Sequence, residues 1–495
     1  MRTALLTSRY ALGMLIQQAL LYILVPIYTA YLTPAELGSW FLLLTTTALV
    51  GDLTKSPVAS AISRFYFHPK YIEKQNALAD TLLLWYLVMT FIVMGLYYLS
   101  AKPITTLIFD DTALLGPTRT STLIIFTFGA SVLLMNYMRL LEMAWGFLLV
   151  SVLQAIVTTA TALTLLIAYD MGIYALIYGY AAGQSLQILA ALVIVRQRWL
   201  PVLDFKLIRT PLKFGFLSLP SSYGSSLIQT GDRYVINALM STAMVGVYSF
   251  GSLIANIITM LFTRPMIMGT APIIRKLESK PDEQKRVISS IFLYSSWLGC
   301  AMAIGISCLA QPLVQLLAQS EAYYGAWIVI PPLALARVLH TLTDTAGTGL
   351  YFGNRPGIIS AITVGAGCLN VALNFLLIPV MGLSGAAVAT LITMLVWNGF
   401  YCWLSYRLYE LSLPIMRVVS SMMIAVLLFA VTLLFQESNG LLIRLLIAIA
   451  LCLSYPIILS IFGILNAQER AATKAFFQQI RALGITHAAR QFFTR

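Results

Sequence analysis

The sequence predicts an all-α integral membrane protein, and three observations carry that reading. Of its 495 residues, 59% are hydrophobic and 10% charged, whereas a soluble domain carries about 25% charged residues. The mean hydropathy is +0.86. The apolar residues also gather in runs near the ~20 that a spanning helix needs. Backbone polar groups in lipid must be satisfied internally, so repeated runs of that length imply a helical bundle rather than a barrel.

Fourteen stretches qualify: Tyr10 to Leu32, Gly38 to Ala59, Leu78 to Ser100, Ser121 to Leu141, Ala144 to Ala168, Gly172 to Val195, Phe214 to Met240, Val245 to Phe262, Ile288 to Ala310, Ala326 to Tyr351, Gly357 to Ile378, Leu383 to Tyr406, Val418 to Phe435 and Leu441 to Ile464. The first exceeds the 7 to 15 apolar residues typical of a signal peptide, and no small-residue cleavage site follows promptly, so it reads as an uncleaved helix.

The net charge of +13 reads as topology rather than as a nucleic-acid footprint. Arg2 and Arg9 precede the first span; Arg64, Lys70 and Lys74 follow the second. Arg196, Arg198, Lys206, Arg209 and Lys213 follow the sixth; Arg275, Lys276, Lys280, Lys285 and Arg286 follow the eighth. The tail adds Arg470, Lys474, Arg481, Arg490 and Arg495, and the intervening loops hold little beyond Lys102 and Arg119. Basic residues stay on the cytoplasmic side, so this alternation predicts an even number of spans with both termini cytoplasmic. Cys300, Cys308, Cys368, Cys402 and Cys452 all fall in predicted spans without metal-ligand spacing, as small packing residues do.

Two echoes suggest an internal repeat. LLIAYDMGIYAL from Leu165 resembles LLIPVMGLSGAA from Leu376, and AELGSWFLL from Ala35 resembles AMVGVYSFG from Ala243, both at an offset of about 210 residues, the length of a duplicated six-helix unit. The expected organisation is an N-terminal lobe over residues 1–205 (helices 1 to 6), a second lobe over 206–410 (helices 7 to 12), two further helices over 411–466, and a basic tail over 467–495. The longest loops, around Lys102 to Thr120, Arg196 to Lys213 and Arg264 to Arg286, are too short for a folded extramembrane core.

Polar side chains lie on helical stripes inside the apolar runs. On span seven, Ser222, Ser226, Gln229, Arg233 and Asn237 share one face, flanked by Asp232. Span ten carries Arg337, His340, Thr341, Asp344 and Thr348; span two carries Asp52, Lys55, Ser56 and Ser60; span five has Gln154, Thr158 and Thr161; span eleven has Asn370 and Asn374. A charge at the centre of a lone helix costs about 2.5 to 3.5 kcal/mol on insertion scales, so such groups face a bundle interior or a watery cavity. Each stripe also has a structural reading: Arg233 pairing with Asp232 or Asp344 to hold helices together, Lys55 snorkelling, His340 fixed by its neighbours. Three His residues and no HExxH, GxSxG or GxxxxGK[ST] leave zinc hydrolysis, a serine elbow and a nucleotide loop unsupported. The expectation is a non-enzyme with no catalytic residue, metal or cofactor, coupled to Na+ or H+ if it moves cargo uphill.

The stretch NVALNFLLIPVMGLSGAAVATLIT, Asn370 to Thr393, resembles the N-x-x-x-N-x-x-L-I-P-x-x-G-x-x-G-A-A-x-A-T signature of bacterial polysaccharide transporters. These form the O-antigen flippase-like branch of the multidrug/oligosaccharidyl-lipid/polysaccharide superfamily. GDRYVI from Gly231, VGVYSFGSLIANI from Val245 and the opening SRYALGMLIQQALLYILVPIYTAYLTPAELGSW resemble the same branch. The resemblance implies a flippase that carries undecaprenyl-diphosphate-linked oligosaccharide across the bacterial inner membrane through a cationic cavity between two lobes. Arginine and lysine suit a diphosphate, and Ser, Thr, Asn and Gln suit sugar. The substrate-binding candidates are Arg233, Arg337 and Lys55 for the diphosphate, with Gln229, Asn237, Gln154, Asn370 and Asn374 along the cavity. Asp52, Asp232, Asp344 and His340 are the ion-coupling candidates. Expected partners are the lipid-linked oligosaccharide, membrane lipid and a polysaccharide polymerase or chain-length protein, with the chain itself a monomer. A drug antiporter of the same superfamily is the alternative. A membrane polymerase or ligase fits less well, since such enzymes display a large outward loop.

Overall fold

A computed structural model describes residues 22–195, 204–352, 356–433, 441–466 and 469–470. The start of the expected first span, Arg2 and Arg9, Arg196 and Arg198, and the tail beyond Arg470 lie outside the described residues.

The chain is helical throughout these segments. Helix α1 (Tyr22–Tyr31) leads to α2 (Pro34–Phe65), which opens on a reciprocal cap. The Thr33 hydroxyl accepts the N–H of Glu36, the Glu36 carboxylate accepts the N–H of Thr33, and Pro34 takes a position where its missing donor costs nothing. There follow α3 (Gln75–Leu99), α4 (Ala101–Phe109), α5 (Leu115–Thr120), α6 (Thr122–Leu140), α7 (Ala144–Leu163) and α8 (Ile173–Val195). The second half comprises α9 (Phe205–Leu239), α10 (Thr242–Ala255), α11 (Arg264–Lys276), α12 (Pro281–Cys308), α13 (Ala310–Leu317), α14 (Ile330–Phe352), α15 (Pro356–Met381) and α16 (Leu383–Tyr409). Helices α17 (Ile415–Leu433) and α18 (Leu441–Ile461) complete the bundle.

Among the described residues, eleven helical stretches are long and apolar enough to cross a membrane, and Tyr22–Tyr31 and Ile415–Val431 are apolar but shorter. The protein is a multi-pass membrane protein. Helix α9 is 35 residues long and stands outside the eleven, because Lys206, Arg209 and Lys213 at its start, the polar stretch Ser221 to Ser226 and the Asp232 and Arg233 pair together lower its hydropathy.

The long expected loops are largely helical. Ala101–Phe109 and Leu115–Thr120 fill the first. In the second, the Asp204 side chain accepts the N–H groups of Lys206 and Leu207 and starts α9 well before the expected Phe214. In the third, α10 passes through a π-helical turn at Thr259–Thr263 straight into α11. Polar residues after Phe262 lower hydropathy, but the chain stays helical, and the π turn lies just ahead of Pro265, which has no N–H to give to the ladder.

The largest buried cluster draws on both halves of the chain: Leu42 and Ile177 from the first pack in one core with Phe250 and Val329 from the second. Of two further clusters, one around Val58 and Tyr137 joins the first half to Ile208 and Leu212 of α9, and the other, around Phe292 and Met394, lies in the second half. Helices α17 and α18 dock on α12, where the Ser296 and Ser421 hydroxyls are 3.0 Å apart and the Tyr455 hydroxyl donates to the Ser421 carbonyl at 3.2 Å.

Positions about 210 residues apart occupy matching environments. Gly172 and Gly382, the glycines of the two Met-Gly turns, both have positive φ, 50° and 60°, which glycine adopts without steric cost. Ser131 on α6 donates to Gln187 on α8; in the second half, Asn398 on α16 donates to Thr343 on α14 at 3.2 Å. Gly38 and Gly246, fourth in their respective echoes, meet each other: a Cβ on Gly38 would overlap the Thr242 carbonyl, and one on Gly246 the Pro34 carbonyl. The first turns of α2 and α10 therefore cross backbone to backbone.

Candidate functional site

Helices α2 and α9 run antiparallel along a seam of polar contacts. Ser218 donates to Ser60 at 2.8 Å, Ser226 to Asp52 at 3.3 Å and Tyr223 to the Leu49 carbonyl at 3.0 Å. The Thr46 and Tyr234 hydroxyls are 2.8 Å apart. At one end, Gly215 lies so close to Pro57 that a side chain there would overlap its carbonyl. Interhelical hydrogen bonds of this kind act as packing glue in a membrane.

Asp232 and Arg233 diverge within this frame, because neighbouring side chains on a helix point about 100° apart. The Asp232 carboxylate accepts the N–H of Arg233 at 2.9 Å and the hydroxyl of Tyr248 on α10. Arg233 turns the other way, donating through Nη1 to Thr45 at 3.1 Å with its guanidinium 5.1 Å from the centre of the Phe41 ring. Among the described residues, no ion pair joins Arg233 to Asp232 or Asp344. Arg337 on α14 lies in the electrostatic field of Asp232, Tyr248, Arg233 and Tyr22, and Tyr22 also feels Arg264 at the head of α11. The Nε groups of both Arg233 and Arg337 are buried with no hydrogen-bond partner among the described residues. An unpaired buried donor on a cation is costly, and an anion held through the planar fork relieves it.

The remaining expected site residues scatter. Lys55 pairs with Asp52 at 2.6 Å and lies 4.6 Å from the centre of the Phe128 ring, while Ser56 also donates to Asp52. Gln154 is buried and donates to Thr158 at 3.0 Å. Asn370 and Asn374 are both 0% exposed; Asn370 donates to Thr393 on α16 at 3.3 Å, and Asn374 to the Asn370 carbonyl at 2.8 Å. Asn237 sits at the far end of α9, donating to the Ile108 carbonyl and accepting from Thr242. Gln229 is exposed. His340 and Asp344 lie 3.4 Å apart, the imidazole edge-on to Trp397.

Three features in or near the site escape a reading of the sequence. Arg264 follows Phe262 where hydropathy falls, and so looks like a loop residue. Tyr248 lies within the AMVGVYSFG echo, but nothing in that echo assigns it to Asp232. The third is a cavity of about 190 Å³ whose walls include Tyr22, Trp40, Phe41, Tyr180, Phe250 and Leu253. Among the described residues, no group of three His, Cys, Asp or Glu side chains could hold a metal.

The Asp52 and Lys55 pair gives a stability prediction. Removing one member of a buried ion pair costs about 3–5 kcal/mol, whereas replacing both with apolar groups is often neutral. Asp52→Leu is therefore expected to lower the melting temperature of the detergent-purified protein, and Asp52→Leu/Lys55→Met to recover most of the loss. Equal melting of the single and double variants would show that the pair contributes nothing.

A many-helix membrane bundle with charged side chains turned toward its interior has the build of a transporter. The model of the polysaccharide biosynthesis protein family matches residues 7–278, more than half of the chain, and the chain belongs to that family. It is 28% identical over 234 residues to a probable low-salt glycan biosynthesis flippase of Haloferax volcanii, Agl15; the match covers 47% of this chain and 49%, about half, of the relative. Among solved structures it resembles the lipid II flippase MurJ in an inward closed conformation, with 14% identity and a TM-score of 0.72 over 94% of this chain and 99% of that one. It also resembles an inward-facing multidrug resistance MATE transporter of the MOP superfamily, with 13% identity and a TM-score of 0.61 over 82% and 94%. These likenesses establish a MOP-superfamily fold, the one expected from the Asn370 to Thr393 stretch.

Proposed function

We propose that the protein is a flippase that moves undecaprenyl-diphosphate-linked oligosaccharide from the cytoplasmic to the periplasmic leaflet of the inner membrane, supplying O-antigen, capsule or exopolysaccharide synthesis. The observation that carries this reading is the pair of half-buried arginines, Arg233 on α9 and Arg337 on α14, whose buried Nε donors have no partner among the described residues. A diphosphate offers the planar, multiply charged acceptor that two guanidinium forks can share. Residues 1–205 and 206–410 form two six-helix lobes with both termini cytoplasmic, and substrate is reached by alternating access between them. In that scheme the crossing of Gly38 and Gly246 closes the outward end, and the sites on α9 and α14 are exposed by turns to each leaflet. Asp232, fixed by Tyr248 beside both arginines, is the leading candidate to couple a Na+ or H+ to the cycle, ahead of Asp52, Asp344 and His340. The chain works as a monomer beside a polysaccharide polymerase.

The test is the sidedness of lipid-linked oligosaccharide in cells lacking the protein. Accumulation on the cytoplasmic side, cleared by the intact chain, is the expected result. Normal delivery to the periplasm, with heightened sensitivity to cationic drugs, would replace the flippase with a drug antiporter. The MATE-like fold keeps that second reading in view, but a centre carrying Arg233 and Arg337 repels a cationic drug.

A further inference from the structure

The cavity beside the arginines has no part in the reading above. Its walls are aromatic and aliphatic, and it shares two of them with the charged centre: Phe41 lines it and lies under the Arg233 guanidinium, and Tyr22 lines it within the field of Arg337 and Arg264. Three of its hydroxyls are already engaged: Tyr22 donates to the Leu253 carbonyl at 2.8 Å, Thr29 to the carbonyls of Pro26 and Leu317, and Thr158 accepts from Gln154. The rest of the lining is ring surface and hydrocarbon, apart from the Tyr28 and Tyr180 hydroxyls.

That chemistry sorts the candidate occupants. A sugar ring would lose the hydration of its hydroxyls and find few free partners, a cost without return. A cation would gain from the ring faces but would sit against a cluster of guanidinium groups. An unsaturated hydrocarbon joined directly to an anion satisfies both surfaces at once, its chain on the aromatic walls and its charge on Arg233 and Arg337.

We propose that this cavity is a subsite for the first isoprene units of a polyprenyl diphosphate, so that the protein grips the carrier lipid at the carbons next to its diphosphate. The proposal rests on the flippase reading and adds that recognition includes the lipid's own first carbons. A site of about 190 Å³ holds one or two isoprene units and leaves the rest of the chain in the bilayer. It also implies selectivity for the carrier that is independent of the glycan.

The probes are geranyl diphosphate and methyl diphosphate, their binding followed by calorimetry on the full-length protein in nanodiscs of saturated phosphatidylcholine. The intact protein is expected to bind geranyl diphosphate at least about 10-fold more tightly than methyl diphosphate, from burial of the added carbons. Leu44→Trp, which fills the cavity, should bring that advantage to within about 2-fold and leave methyl diphosphate binding unchanged. Tyr180→Leu, which removes one aromatic wall and part of its contact surface, should act in the same direction and serves where Leu44→Trp lowers folding yield. Partition into the nanodisc is common to intact and variant proteins, so the change between them isolates the cavity. An advantage that survives both folded variants overturns the proposal. So does a uridine diphosphate sugar whose affinity falls with Leu44→Trp while that of geranyl diphosphate does not. If methyl diphosphate binds and Arg337→Ala abolishes it, but geranyl adds nothing, the anion site stands without the subsite. If neither diphosphate binds, the flippase reading fails together with it.

Discussion

Gly38→Val is expected to abolish glycan export while the protein still reaches the membrane. The first turns of α2 and α10 touch through their backbones, with Gly38 against the Thr242 carbonyl and Gly246 against the Pro34 carbonyl. A valine side chain cannot be absorbed by a rotamer change, because the opposing atoms are main chain. Overpacking costs typically 1–3 kcal/mol, and here the cost falls on whichever state holds the two helices together. A bias of about 3 kcal/mol against one member of a two-state cycle lowers its population roughly 100-fold. Gly246→Val should reproduce the effect from the other side of the crossing. Gly95→Val and Gly399→Val are the controls, since nothing lies within 4 Å of a Cβ at either position. Export at the intact level by Gly38→Val, with protein amounts matched, would show that the crossing is not used in the cycle.

The same crossing shows how far a sequence can carry such a fold. The echo of AELG in AMVG locates both glycines, and the apolar runs place the long helices, though not α4, α5, α11 or α13. That the two glycines meet is not legible, because a repeat states what is similar and not what touches. Polarity tells the same story at the site. Asn370 and Asn374 stand out in an apolar helix, yet their exposure is 0%; the Asn370 amide donates to Thr393 on α16 and that of Asn374 donates back to Asn370 within α15. A stripe on a helical wheel cannot distinguish a cavity wall from a helix contact, since both exclude lipid. The segment after Phe262 fails in the opposite sense: hydropathy drops there and suggests a loop, but the chain stays helical through a π turn and places Arg264 at the head of α11. The aromatic cavity is the least legible, because aromatic residues make up 12% of the chain and only tertiary packing selects Trp40, Tyr180 and Phe250 from the rest.

Arg337→Ala is expected to reduce export about 10-fold to 150-fold at matched protein levels, the loss of one charge-assisted contact worth about 1.5–3 kcal/mol. Arg337→Lys should fall between, because the charge remains while the planar fork is lost. Such a loss has two explanations, since Arg337 also balances the buried Asp232, and an uncompensated carboxylate would unsettle α9 and α10 without any part in transport. Asp232→Asn separates them. If Arg337 serves only to neutralise Asp232, the Arg337→Ala/Asp232→Asn protein regains both its melting temperature and its export. If Arg337 holds the diphosphate, the double variant recovers melting and still leaves lipid-linked oligosaccharide on the cytoplasmic side. Recovery of export in the double variant would remove Arg337 from the anion site and leave Arg233, stacked on Phe41 with its free Nε, as the group to test next.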